Sequence, residues 1–402
     1  MLLPKGTPKH NRLLQWCPKC ALTVSVFAIG SGSAALAEDL LYPFDLSTSL
    51  SLRGGYEMKD GVGQSYLEAT PEISATRSDE DWTLSGSASA TFDKYQKDNS
   101  GVRAINLDGA VSYQFTRRTK IDAGLTYGLD LPRLNDDELP DDVAEAPLNQ
   151  NFGASATLSH QFNKTAVEGR LGLARAQMGP TKLDNDSLVD NGDQNSWNIS
   201  VGGRVSREIT PIVSVFYDTD TSRTIYDAAS ATLSAKRDGW TFDNRLGVSA
   251  NFKDRLSGEV SIGQLRRTYD DANLNDVLTT SYGAAITYQL GNSAALELSA
   301  DTSLSPSTEP GEPSKITDSV TLGFSQQVNN RFGYTVSADF GREHYQGSDR
   351  NAGRFGLGLE GTYVINSYAA AYAGYRYEVS EDSVDGGSRT NAIEAGLRFT
   401  RP

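Results

Sequence analysis

Short segments in which apolar and small polar residues alternate follow one another along most of the chain, as in Leu46-Ser47-Thr48-Ser49-Leu50-Ser51-Leu52 and in Trp82 to Phe92. A period of two puts successive side chains on opposite faces of an extended strand. Each segment therefore has one apolar, aromatic-rich face and one face of Ser, Thr, Asp, Asn, Glu and Gly. Repeated about eighteen times without a helical block, the pattern predicts one closed sheet with hydrocarbon outside and water inside. A soluble β-sandwich would also alternate, but it must split so many strands between two sheets.

Connection lengths carry the topology. Short connections (Ser78 to Asp81, Thr116 to Thr119, Asn163 to Thr165, Arg207 to Pro211, Lys253 to Arg255, Gly291 to Ser293, Asn329-Asn330, Asn366-Ser367) alternate with longer ones. The longer ones include Glu57 to Gln64, Leu131 to Asn149, Gly179 to Asn195, Asp227 to Gly239 and Ser380 to Ser388. Tight turns on one side and long loops on the other predict an all-β fold. The expected fold is a single transmembrane antiparallel β-barrel of about 18 strands (16–18), with both termini periplasmic. The phase is ambiguous across Ile212 to Tyr226 and Ala229 to Ala235.

The first 37 residues read as a secretory signal peptide. Lys5, Lys9, Arg12 and Lys19 precede the apolar run Ala21 to Gly30, and Ala35-Leu36-Ala37 offers a small-residue cleavage site, leaving residues 38–402 as the barrel. The apolar run is shorter than the roughly 18–20 residues a membrane-spanning helix needs. Both cysteines, Cys17 and Cys20, fall in this leader, so thiolate metal sites, disulfides and cysteine nucleophiles are not expected in the mature chain.

The whole chain has 51 acidic and 37 basic residues. Without the leader its charge is about −18, and nucleic acid, which needs a basic stripe, is not an expected partner. Phasing the strands puts Ile105, Leu107, Val111, Tyr113 and Phe115 outward on one strand and Trp197, Ile199, Val201 and Val205 on another. Inward fall Asp108, Asp122, Asp243, Glu259 and Asp339, near mid-span, with Arg204 and Arg245 opposed to them. Crossed rows of opposite charge would form a constriction; a charge network stiffening the wall would use the same residues.

Extending the outward phase past the far strand ends reaches Arg133, Arg175, Arg223, Arg266 and Arg342. Ten residues at about 3.3 Å each, tilted by roughly 45°, nearly cross an apolar band of about 25 Å, so these groups belong at the outer rim. There they could meet lipopolysaccharide phosphates, which suit bidentate arginine. A strand end beyond the lipid would also carry charge with no such partner.

The same strand ends carry a family resemblance. Arg223-Thr224-Ile225-Tyr226-Asp227, Arg266-Arg267-Thr268-Tyr269-Asp270 with Leu274-Asn275-Asp276, and Arg342-Glu343-His344-Tyr345, together with Leu256 to Gly263, resemble the putative β-barrel porin 2 family. The resemblance covers residues 40 to 402 and implies a porin-like barrel of the Gram-negative outer membrane, set among outer-membrane lipids and lipopolysaccharide. It also implies insertion by the barrel-assembly machinery and, for some members, association with surface-polysaccharide export proteins. The closing strand alternates at Ile393, Ala395, Leu397 and Phe399, but departs from the usual insertion signal in the Thr400-Arg401-Pro402 that follows.

Catalysis is not expected. Beyond the leader the histidines are His160 and His344. Ser159 cannot serve His160, because neighbours on a strand point to opposite faces. The acidic loop Asp184 to Asp193 lacks the glycine at position six and the glutamate at position twelve of a calcium loop, and it and Asn135 to Asp142 read as solvated loops, so no metal or other cofactor is expected. The expected function is passive diffusion of small polar solutes or ions through an acidic lumen that favours cations. The alternative is a non-conducting accessory or structural barrel associated with surface-polysaccharide assembly or export.

Overall fold

The computed structural model describes residues 44–96, 101–133, 143–253, 255–307, 311–384 and 386–401. The expected signal peptide and the acidic run Asn135 to Asp142 lie outside these residues. In chain order the strands are β1 (Asp45–Lys59), β2 (Val62–Ser78), β3 (Trp82–Tyr95), β4 (Gly101–Thr116), β5 (Thr119–Asp130), β6 (Val143–Glu145) and β7 (Asn149–Phe162). Next come β8 (Thr165–Met178), β9 (Thr181–Leu183), β10 (Leu188–Val189), β11 (Ser196–Thr210), β12 (Val213–Tyr226), β13 (Gly239–Phe252) and β14 (Leu256–Tyr269). The chain ends with β15 (Val277–Leu290), β16 (Ala294–Pro306), β17 (Ser314–Gln327), β18 (Phe332–Tyr345), β19 (Asn351–Asn366), β20 (Ala369–Asp382) and β21 (Gly386–Arg401).

Among the described residues, eighteen of these strands form one sheet, each paired antiparallel with its neighbour in the chain. The last, β21, pairs back onto β1 from Thr48↔Arg401 to Lys59↔Thr390, which closes the barrel and leaves no edge. The short strands β6, β9 and β10 form a separate small sheet within the long connections.

Face assignment follows the period of two. Leu107, Val201 and Ile262 point away from the barrel and are 45%, 55% and 64% exposed, as hydrocarbon-facing side chains should be. Outward aromatics gather beside the short turns, where Tyr113 meets Phe115 at 4.7 Å and His160 meets Phe162 at 4.1 Å. This is the amphipathic girdle expected at a lipid–water boundary. The short turns are tied by lumen-side glutamines: Gln161 donates to the Asn163 carbonyl at 2.7 Å, and Gln327 to that of Asn329 at 2.5 Å. Inside, large side chains lie over glycines of the adjoining strand. A Cβ on Gly247 would sit 2.2 Å from the Phe216 ring, and one on Gly396 would sit 2.4 Å from that of Tyr372.

Two expected long loops are strand instead. Lys59 and Val62 flank a two-residue turn in which Asp60 and Gly61 have φ of 49° and 82°, the mirror-image turn that matches strand twist. Glu57 to Gln64 is therefore paired, and so is most of Ser380 to Ser388, where β20 meets β21 from Ser380↔Ser388 to Asp382↔Gly386. About ten or eleven tilted residues suffice to cross the apolar band. β2, with 17, overruns it and continues as a paired ribbon. The ambiguous stretch also resolves: 213–226 is strand, and 229–235 is a loop closed by a Ser230↔Ala235 bridge.

Candidate functional site: the charged lumen and its outer mouth

Along β8, β11, β12, β13, β14 and β16 the inward positions carry a band of ion pairs in two adjoining groups, one around Arg170 and Arg204 and one around Arg245. Arg170 is bonded to Asp218, to Asp220 at 2.7 Å and to Glu168 at 3.3 Å. Arg204 bridges Glu259 at 2.6 Å and Asp218 at 3.6 Å, with its guanidinium 3.6 Å from the centre of the Phe216 ring. Arg245 contacts Asp243 at 2.8 Å and Asp301 at 2.6 Å, and donates to the Thr302 carbonyl at 2.8 Å. Arg204 and Arg245 thus do not face the carboxylates across the lumen, as the sequence led us to expect. They are bound to them along one wall, where the long inward guanidinium groups reach over the intervening strands: Arg204 on β11 to Glu259 on β14, and Arg245 on β13 to Asp301 on β16.

A second cluster lies on the other side of the barrel. Arg53 reaches Glu68 at 2.5 Å and Glu394 at 3.4 Å, and the Tyr66 hydroxyl donates to Glu394 at 2.8 Å. Elsewhere the wall keeps carboxylates with no cation beside them among the described residues. Asp108 on β4 accepts from Ser87 at 3.5 Å and Asp339 on β18 from Thr321 at 3.0 Å, and neither forms an ion pair among the described residues. Asp122 on β5 is bonded to Lys120. Asp108, Asp122 and Asp339 are inward but stand apart from one another; of the residues singled out in the lumen, only Asp243, Glu259, Arg204 and Arg245 lie in the band of ion pairs.

The outer-rim arginines divide. Arg175 lies opposite Trp197, 5.3 Å from its ring centre, and holds Asp227 with two bonds of 2.8 and 2.5 Å. Arg223 repeats the arrangement with Trp240 at 5.4 Å and a two-pronged bond to Asp270. The hydrogen bonds from these guanidinium groups hold the Asp227 and Asp270 carboxyls below the usual carboxylate range. Arg266 makes one bond, to Asp276 at 3.1 Å, and its side chain is 57% exposed. Arg342 is exposed and makes no ion pair among the described residues. Arg133 does not belong to the rim. Past the end of β5 the chain turns inward, and its guanidinium lies 4.5 Å from the Tyr95 ring centre and 3.4 Å from Asp93, both facing the lumen.

The outer mouth also holds residues not expected from the sequence to have a site role. Tyr226 and Arg267, at the lumen-facing outer ends of β12 and β14, are 1% and 2% exposed. They are covered by the loop that joins β12 to β13, whose Arg237 is also 2% exposed. The Arg237 guanidinium lies 4.5 Å from the Tyr226 ring centre, and Arg267 donates to the Arg237 carbonyl at 3.2 Å. Strand periodicity places Tyr226 and Arg267 but says nothing of a loop residue such as Arg237. The histidines stand apart from these groups: His160 pairs with Thr119 at 2.8 Å and His344 with Asn351 at 2.8 Å.

A family profile described as Putative beta-barrel porin 2 matches residues 47–401. No curated protein matches the chain. Among solved structures, the chain is similar to the copper transporter OprC, with a TM-score of 0.48 and 11% identity over 89% of this chain and 81% of that one. It is also similar to the outer membrane protein OpdK of Pseudomonas aeruginosa (TM-score 0.47, 10% identity, 89% and 99% covered). For OpdQ of the same organism the values are a TM-score of 0.44 and 12% identity, with 89% and 99% covered.

Proposed function

The chain belongs to the putative beta-barrel porin 2 family, and from that membership we propose that it is a passive, water-filled channel whose acidic lumen favours small cations. It is a porin-like β-barrel of the Gram-negative outer membrane. In the proposed orientation both termini and the short turns face the periplasm, and the long loops face outward. The observation that supports cation preference is the imbalance of the wall. Its central guanidinium groups, Arg170, Arg204 and Arg245, are matched by carboxylates, while Asp108 and Asp339 have only hydroxyl partners among the described residues and leave net negative charge facing water. A narrow, low-dielectric wall of one sign concentrates the opposite ion.

Planar-bilayer recording across a salt gradient tests the proposal. The wild type should show unitary steps and a cation-selective reversal potential, and D108N/D339N should move that potential toward zero without abolishing conductance. A reversal potential at zero for both would remove the selectivity, and the complete absence of steps would remove the channel.

Silence would instead favour a non-conducting accessory barrel for surface-polysaccharide assembly, for which the loops packed over Tyr226 and Arg267 speak. Contact with lipopolysaccharide phosphates is proposed chiefly for Arg266 and Arg342, since Arg175 and Arg223 already spend their donor pairs on Asp227 and Asp270.

A further inference from the structure

One guanidinium joins parts of the chain that the barrel wall holds far apart. Arg237 Nη1 donates to the Ser307 carbonyl at 2.6 Å, and its Nη2 to the Asp193 carbonyl at 2.7 Å and Gln194 Oε1 at 3.0 Å. Gln194 lies just ahead of β11 and Ser307 just after β16. In the wall these two strands are separated by β12, β13, β14 and β15. Five strand spacings of about 4.8 Å each put their outer ends roughly 24 Å apart along the wall. Yet both are within hydrogen-bond reach of a single planar group, so the chain at 193–194 and at 307 must lean in from the rim and meet over the lumen.

Further bonds hold the same lobe. Gly311 donates to Thr232 Oγ1 at 3.1 Å, joining the β16–β17 connection to the β12–β13 loop. The Tyr269 hydroxyl donates to Ser314 at 2.8 Å below it. Arg237 itself makes no ion pair among the described residues. A buried cation satisfied only by carbonyl-type acceptors and an aromatic face keeps its place only while those acceptors converge, which makes the lobe cooperative. A lysine could not replace it, because a single ammonium lacks the fork that reaches both strand ends.

We propose that Arg237 sets the size limit of permeation, by drawing the loops of the β11–β16 arc together over the outer mouth. The assignment rests on reading the barrel as a conducting channel and adds to it the residue that decides how large a solute passes. Loss of the guanidinium should let the loops relax toward their own strands and widen the mouth.

The test measures unitary conductance, and liposome swelling with sugars of increasing size, for the wild type, R237A and R237K. Each variant is first checked for heat-modifiable migration as a folded barrel. R237A should raise conductance by at least about twofold, since open area grows with the square of diameter, and should admit sugars the wild type excludes; R237K should fall between. A folded R237A with unchanged conductance and size limit overturns the proposal. If R237A does not fold, Q194A/T232A removes two side-chain acceptors without stranding a buried charge. It should shift both readouts in the same direction by less, and no shift overturns the proposal equally.

Trypsin cleavage after Lys236 gives a readout that needs no current. It should be slow in the wild type and at least about tenfold faster in Q194A/T232A, because cleavage requires the loop to open locally. A silent wild type would defeat the channel reading alone, and the lobe would then be judged by trypsin: equal cleavage rates overturn it.

Discussion

Arg175 and Asp227 meet in a two-bond pair on the lipid side of the barrel, and Arg223 and Asp270 repeat it in the next pair of hairpins. In both cases the arginine stands at the outer end of one strand, its tryptophan directly opposite on the next strand, and its aspartate just past the end of the third. Each unit pins a loop to the barrel exterior while the indole covers the guanidinium. Because the hydrogen bond from arginine lowers the folded pKa of each aspartate, the stabilisation is present above the ordinary carboxylate pKa near about 4 and is lost as pH falls through the depressed folded value. Asp227 and Asp270 are 44% and 52% exposed at their side chains, so each pair is worth roughly 0.2–1 kcal/mol at most, and less in high salt. Thermal loss of the heat-modifiable form, followed from pH 7 downward, should show wild type and D227N/D270N converging in acid and separating slightly at neutral pH. A constant gap across the range would show that the pairs do not titrate as described.

The two units bear on the rim as well. With their donors committed, Arg175 and Arg223 have little left for a lipid phosphate, whereas Arg266 keeps most of its surface and Arg342 is exposed with no ion pair among the described residues. Among glutamine substitutions, R266Q/R342Q should reduce lipopolysaccharide retained on the purified barrel, while R175Q/R223Q should leave retention near the wild-type level. Quantifying phosphate carried through purification distinguishes them, and equal losses would make the distinction untenable.

Close approach of backbones sets a different kind of constraint. An ideal Cβ on Gly263 would lie 1.9 Å from the Asn244 carbonyl oxygen, a backbone atom that cannot swing away, whereas one on Gly109 would meet nothing within 4 Å. G263A should therefore cost about 1–3 kcal/mol through forced separation of β13 and β14, and G109A should stay within about 0.5 kcal/mol of wild type, as surface changes do. Urea titration of the folded barrel in detergent measures both, and equal midpoints would contradict the crowding at Gly263.

Most of the wall was legible because one physical rule, alternation between lipid and water, acts on nearly every strand residue. That rule alone places Asp108 inward and Leu107 outward on β4. It loses force where the chain leaves the lipid. Glu57 to Gln64 looked like a loop because its residues are polar, yet beyond the apolar band a paired ribbon with a two-residue turn needs no apolar face. Arg133 sat in phase with Leu125, Tyr127 and Leu129, but the phase has no meaning once β5 has ended, and attraction to Asp93 turned it inward. Asp218 and Asp220 lay in the stretch of ambiguous phase, where Phe216 and Tyr217 offer an aromatic to either face; their own spacing of two was the usable signal. Arg237 could not have been found from periodicity, because a loop side chain is placed by the partners it meets, and these come from distant parts of the chain.

Whether the ionic band governs selectivity can be decided at Arg204 and Glu259. The two are joined at 2.6 Å across β11 and β14, strands that β12 and β13 separate in the wall, so the bond spans the lumen surface rather than a neighbouring pair. Removing the cation by R204Q leaves Glu259 without its 2.6 Å partner and should make the reversal potential more cation-selective. Removing the anion by E259Q leaves Arg204 with Asp218 at 3.6 Å and should make it less so. In R204Q/E259Q the two effects should cancel to near the wild-type value, because the pair as a unit contributes no net charge to the lumen. The Phe216 ring beneath Arg204 adds a stability term of roughly 0.5–2 kcal/mol that both arginine-free variants lose alike, so a thermal midpoint shared by R204Q and R204Q/E259Q separates packing from electrostatics. Selectivity unchanged in all three variants would place the ion-selective region elsewhere along the barrel axis.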